Sequence, residues 1–172
     1  MVEVVKEDIF KFKSNEYNGN NVLLLVDPIN CNLNVMGKGL ALEFKKRYPK
    51  EFKKENLKEL SVGIGEVAMI NTLENPYVNI LLFPTKLHWS SQSEYWYISA
   101  NLTALKYWIE DWVFNRGHSW DNDIIHFTIR MPKLGCGLGG LDFDKVLHMV
   151  KVILNDEWCE MFNTKIMVCD NG

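Results

Sequence analysis

Apolar positions along the chain switch repeatedly between a continuous or alternating pattern and a helical one. Val2-Glu3-Val4-Val5 reads as a short strand, and the unbroken run Val22-Leu23-Leu24-Leu25-Val26 as a strand buried on both faces that ends at Asp27-Pro28. Between them, Lys6 to Phe12 reads as helical or irregular, and Ser14 to Asn21 as a polar loop turning on Asn-Gly-Asn-Asn. A loop from Ile29 to Val35 follows. Gly37-Lys38-Gly39 then opens an amphipathic helix, Leu40 to Tyr48, stopped by Pro49 and carrying Lys45, Lys46 and Arg47 where the helix dipole favours cations. Lys50 to Leu60 is charged and reads as helical.

Glu66 to Asn71 and Tyr77 to Phe83 have the spacing of a β-hairpin around Glu74-Asn75-Pro76, and the second run ends at Pro84-Thr85-Lys86-Leu87-His88-Trp89. Ser93 is the expected N-cap of a long helix reaching about Phe114, with Trp96, Ile98, Leu102, Leu105, Trp108, Ile109 and Trp112 on its apolar side. That stripe is core material. After a polar break, Gly117 to Asp123, come a strand Ile124 to Met131, a helix capped by Asp142 and running to Leu154, and a closing strand Lys165 to Cys169.

Strands alternating with helices predict a three-layer α/β/α sandwich around a mixed, mostly parallel sheet. Ligands of such sheets bind outside the carboxyl ends of the strands. Three loops leave strand ends: Asp27 to Gly39, Pro84 to Ser93 and Pro132 to Leu141. The last holds four glycines in the six residues Gly135-Cys136-Gly137-Leu138-Gly139-Gly140, between a strand and a helix. Glycine backbones can turn successive N–H groups inward as an anion nest, so the ligand implied is a phosphate or pyrophosphate. If the three loops converge, the pocket gathers two glycine nests, the Asn30 amide, and Lys86 with His88 and Trp89 beside it. A lysine after a Pro-Thr turn is ordinarily solvated surface, and its place at a convergent strand end is what singles out Lys86.

With 172 residues, 47% of them hydrophobic, the chain is expected to be a single domain, 1–172. A net charge of −3 argues against a broad nucleic-acid footprint while leaving room for contact with one base or a strand end. The Lys45-Lys46-Arg47 and Lys53-Lys54 clusters read as solvated faces. Cys31, Cys136, Cys159 and Cys169 lack metal-ligand spacing, and the N-terminus has no signal peptide or long apolar run. A reduced, cytoplasmic monomer follows, with no disulfide, metal, cofactor or membrane partner. A dinucleotide oxidoreductase fits poorly, because the glycine loop lies late in the chain and no acidic ribose reader ends a following strand.

Asn30-Cys31, Met36 to Lys45, Phe83 to Trp89 and Pro132 to Leu141, four separated motifs in register, resemble the macro domain, the ADP-ribose-binding module. More narrowly they resemble its branch containing the DarG antitoxin and the terminal ADP-ribose glycohydrolases. The resemblance implies that Asp8 takes the adenine amino group with the Ile9 backbone beside it, and that Asn30 holds the distal ribose. It also implies that Gly37, Lys38, Gly39, Thr85 and the run Gly135, Cys136, Gly137, Leu138, Gly139, Gly140 surround the diphosphate and that ribose. Lys86 matches the lysine that attacks the anomeric carbon, chemistry that needs an amine of lowered pKa.

Two departures from the branch stand out. Protein-directed members place an Asp inside the glycine loop where this chain has Gly139, as DarG-like members do, which favours ADP-ribose on thymine in DNA over ADP-ribose on protein. The loop Cys31 to Val35 is one residue longer than the family's and lacks its glycine. The leading expectation is therefore an ADP-ribosyl glycohydrolase that counters an ADP-ribosylating toxin. A non-catalytic ADP-ribose reader and an ADP-ribose 1″-phosphate phosphatase are the alternatives.

Overall fold

The computed structural model describes residues 1–32, 36–53, 62–116 and 124–171. Its elements are β1 (Val2–Val5), β2 (Asn21–Asn30), α1 (Gly39–Arg47), β3 (Ala68–Asn71), β4 (Val78–Lys86), α2 (Tyr95–Arg116), β5 (His126–Met131), α3 (Phe143–Ile153), α4 (Asp156–Met161) and β6 (Thr164–Cys169). The described residues build one six-stranded sheet in the order β1-β6-β5-β2-β4-β3. Every neighbouring pair is parallel except β3 with β4, which form the expected antiparallel hairpin.

Each face of the sheet carries its own core, which is why the central strand reads as an unbroken apolar run. Leu24 and Val26 of β2 join Ile98, Leu102 and Leu105 of α2 and Val146 and Val150 of α3 on one side. Leu23, Leu25 and Ile29 join Ile9, Met36 and Phe44 on the other. The result is the predicted three-layer sandwich. None of the described helices is long and apolar enough to cross a membrane.

Two prolines were expected to end strands and do not. β2 continues through Pro28 to Asn30, and β4 through Pro84 to Lys86. In β2 the amide of Leu23 donates to Tyr77 of the β4 side, so even-numbered residues of β2 aim their N–H positions at β5. Pairing with β5 stops at Leu25 opposite Arg130, leaving no acceptor for the N–H that Pro28 lacks. Pro84 likewise lies past the last β3 pair, Ala68 with Leu82. These extensions carry Asn30 and Lys86 outward as a registered pair. Pro84 is further fixed by the buried Asn101 of α2, whose side-chain amide donates to its carbonyl while its oxygen accepts from the Gly65 amide.

Other boundaries also shift. α2 begins at Tyr95, and Ser93 does not cap it: its hydroxyl is buried without a partner and its amide donates to the Gly139 carbonyl. β5 starts at His126, leaving Ile124 exposed. Asp142 caps α3 as expected, accepting from the Lys145 amide at 3.0 Å. α4, capped by Asn155, was not foreseen. Residues 33–35 of the Cys31 to Val35 loop, residues 54–60 of the expected Lys50 to Leu60 helix, with Lys54, and the polar break Gly117 to Asp123 lie outside the described residues.

Asp27 shares the β2 face of Leu23, Leu25 and Ile29, fully buried, and neither carboxylate oxygen has a partner. Burial pushes its carboxyl well above the usual carboxylate range, so the folded protein holds it neutral. In the unfolded chain the same group ionises above a pH of about 4. Its contribution to stability is therefore complete below that pH and is lost as pH rises towards the folded-state value, at up to about 1.4 kcal/mol per unit. Asp27→Asn removes this dependence. Urea unfolding at pH 5 and pH 8 should show the variant gaining on the parent as pH rises, and a constant difference would refute the neutral assignment.

Candidate active site

The carboxyl ends of β2, β4 and β5 open into one cleft of about 540 Å³. Pro28, Ile29 and Asn30 line it from β2, Gly37 to Ala41 from the start of α1, Thr85, Lys86 and Trp89 from β4 and its exit, and Pro132, Lys133, Gly135, Gly137, Leu138 and Gly139 from the β5 exit. The three loops singled out in the sequence do converge.

One wall is the start of α1. Lys38 occupies the N-cap position in extended conformation with no side-chain cap bond, and Gly39 adopts φ +62°, which a side chain would strain. Among the described residues the first-turn amides have no capping partner and are open to an external acceptor, with the positive end of the helix dipole behind them. Facing them is the glycine loop. Its own hydrogen bonds use the amides of Cys136, Gly140 and Leu141, which reach Lys133, Gly137 and Gly135 carbonyls at 3.0–3.1 Å. The amides of Gly137, Leu138 and Gly139 have no partner among the described residues. Three successive free donors make the nest an anion would occupy.

Cys136 and Gly140 therefore shape the loop and do not line the cleft. The Cys136 thiol sits against the Leu134 carbonyl at 3.3 Å, and burial pushes its pKa up to about 11. Such a shift favours the protonated thiol over the nucleophilic thiolate.

Lys86 is the last residue of β4, and its Nζ donates to the Leu138 carbonyl at 2.8 Å, so the amine leans across the cleft onto the glycine loop. Desolvation lowers its pKa, and no carboxylate pairs with it among the described residues. Thr85 is turned inward and donates to the Ile29 carbonyl at 3.3 Å, a tie between β4 and β2. Asn30 accepts from the Asn32 amide at 2.9 Å. His88 does not line the cleft; its Nδ1 is 2.7 Å from the Ser90 hydroxyl.

Asp8 and Ile9 stand apart from this cleft. Asp8 lines a second, polar hollow of about 420 Å³ with Lys6, Glu7, Asp170 and Asn171. The hollows are neighbours: Lys133 lines the cleft, Asp170 lines the hollow, and the two pair at 2.7 Å. One Asp8 oxygen accepts from the Phe10 amide at 2.8 Å, and the other has no partner among the described residues. The Ile9 side chain is core, and its carbonyl accepts from Arg130.

Arg130 escaped the sequence reading. It is 4% exposed on β5 and clamps the Glu7-Asp8-Ile9 turn through the Ile9 carbonyl at 2.9 Å, the Asp8 carbonyl at 2.8 Å and the Glu7 carboxylate at 3.2 Å. The guanidinium is also the chief cause of the lowered Glu7 pKa. A charged side chain inside the apolar run Ile129-Arg130-Met131 was the available signal. If Asp8 reads a base, Arg130 is its positioning residue. Arg130→Gln should then raise the Kd of a ligand bound at Asp8 about tenfold, the scale of a lost charged hydrogen bond or two. An unchanged Kd would contradict this.

The site thus joins a row of free amides to an amine that has no carboxylate partner among the described residues, on a three-layer α/β frame. The family model for the macro domain matches residues 26–150, and the chain belongs to that family. It is 37% identical over 126 residues to a DNA ADP-ribosyl glycohydrolase of Mycobacterium tuberculosis, a match covering 71% of this chain and 32% of that protein. The chain thus spans about a third of that relative's length. The macrodomain of Mycobacterium tuberculosis DarG superposes with a TM-score of 0.73 at 28% identity, covering 99% of both chains. Thermosipho africanus DarTG in complex with ADP-ribose gives 0.59 at 26% identity, covering 88% of this chain and 42% of that one.

Proposed function

We propose that the chain is an ADP-ribosyl glycohydrolase that frees ADP-ribose from a DNA base, thymine in the first instance, with Lys86 as nucleophile. The observation that carries this reading is the Lys86 amine, held at 2.8 Å by the Leu138 carbonyl with no carboxylate partner among the described residues. The relative at 37% identity is named a DNA ADP-ribosyl glycohydrolase, which points the same way.

In this reading the diphosphate lies between the start of α1 and the amides of Gly137, Leu138 and Gly139, the distal ribose reaches Asn30 and Lys86, and the adenine lies at Asp8. Neutral Nζ attacks the anomeric carbon. The bond to the base breaks, and the base leaves with the electron pair and takes up a proton. The lysine adduct opens to an imine, water adds to its carbon, and the C–N bond breaks to return the amine and free ADP-ribose. The reaction reverses the work of an ADP-ribosylating toxin.

The direct test is incubation of the protein with single-stranded DNA carrying ADP-ribosylated thymidine while free ADP-ribose is followed. Release at catalytic turnover supports the proposal. Tight ADP-ribose binding without release would leave a reader, and Lys86-independent phosphate release from ADP-ribose 1″-phosphate a phosphatase.

A further inference from the structure

We propose that Trp89 and Leu138 form an acceptor slot that grips the flat face of the base from which ADP-ribose is removed. This rests on the assignment of Lys86 as nucleophile. The carbon that Nζ attacks must lie beside the Leu138 backbone, since that carbonyl holds the amine at 2.8 Å. The acceptor is bonded to the same carbon, so it occupies the cleft next to residue 138.

Two large apolar side chains line that cleft, Leu138 at 73% exposure and Trp89 at 55%. A single exposed apolar residue is ordinary, but two on the one cleft that also holds the Lys86 amine are the makings of a ligand contact.

Trp89 is also held in place. Its turn is tied by the Ser91 amide to the His88 carbonyl at 3.1 Å, the His88 amide to the Ser91 hydroxyl at 3.1 Å, and that hydroxyl back to the His88 carbonyl at 2.7 Å. The His88 ring props the indole at a centroid distance of 5.5 Å and is itself fixed 2.7 Å from Ser90 Oγ. The indole N–H of Trp89 has no partner among the described residues, whereas those of Trp96 and Trp158 reach Glu94 and Glu110. A pyrimidine dione supplies a face for the ring, a methyl for Leu138 and carbonyl oxygens for that N–H. A carboxyl-linked acceptor supplies no such face. His88 thus matters as the prop of Trp89.

The test compares the parent with Trp89→Ala, Trp89→Phe and Leu138→Ala on single-stranded DNA bearing ADP-ribosylated thymidine. Losing a base stack should lower kcat/KM by about 5- to 100-fold in Trp89→Ala, with Trp89→Phe recovering most of it and the Kd of free ADP-ribose nearly unchanged. Leu138→Ala should lower it by a smaller factor. A second readout needs no turnover: in Lys86→Ala protein the modified oligonucleotide should quench tryptophan emission more than ADP-ribose does, and Trp89→Phe should remove that excess. Turnover that is indifferent to Trp89 would overturn the slot and leave the glycohydrolase standing. Trp89-dependent quenching without turnover by the parent would support the slot and overturn the glycohydrolase. Absence of the excess quenching would overturn the slot in either case.

Discussion

Lys86→Ala is expected to lower release of ADP-ribose from modified DNA by roughly 10³-fold or more, while free ADP-ribose binds within about threefold of the parent, because only the transition state loses a bond. Lys86→Arg should fare no better: it keeps the charge and the hydrogen bond to the Leu138 carbonyl but cannot lose a proton to become a nucleophile. The parent should show the matching pH signature. Attack needs the neutral amine, so kcat/KM rises with pH and levels off at the free-enzyme pKa of Lys86. Desolvation moves that pKa down, so the plateau arrives below the value of about 10.4 of an ordinary lysine. A single-turnover assay across pH 6 to about pH 10 reads both effects. Unchanged release by Lys86→Ala would remove the lysine from the chemistry.

Lys86 was legible because an apolar run delivers it to a strand end, and the glycine loop because its composition has few other uses. What the sequence hid lies where a polar residue serves the interior. Pro28 and Pro84 read as strand stops, since the absence of a neighbouring strand beyond Leu25 and Leu82 is a tertiary fact. Arg130 and Asn101 sit in runs whose periodicity is otherwise apolar, and the carbonyls they satisfy, in the Glu7-Asp8-Ile9 turn and at Pro84, are distant in sequence. Motif register with the family could place Asp8 in a site but could not show that it faces a hollow separated from the main cleft by the Lys133–Asp170 pair. Cys136 and Gly140 matched the motif too, yet their amides are spent inside the loop. Within a glycine nest, the free donors are distinguishable from the structural ones only once the loop has closed.

Among the described residues no carboxylate reaches the Lys86 amine, for a reason built into the loop, and Gly139→Ala should expose it. A Cβ at residue 139 would stand 2.3 Å from the Gly135 carbonyl oxygen and 2.3 Å from Ser93 Oγ. The backbone cannot readily yield, because Gly135 and Gly140 are held at φ +71° and +77° and Ser93 is tied to Gly139 through the bond from its amide. The variant should therefore lose at least about tenfold in ADP-ribose affinity and about 1–3 kcal/mol in stability, readable by calorimetry and thermal melting. Gly139→Asp, the residue used by protein-directed members of the branch, should collapse the loop in the same way and transfer no new specificity. Adding Ser93→Ala removes the hydroxyl but leaves the Gly135 oxygen in the way, so the double variant should stay impaired. Recovery of ADP-ribose binding in the double variant would mean that the hydroxyl alone closes the position. If it stays impaired, an aspartate cannot be fitted at residue 139 without rebuilding the nest.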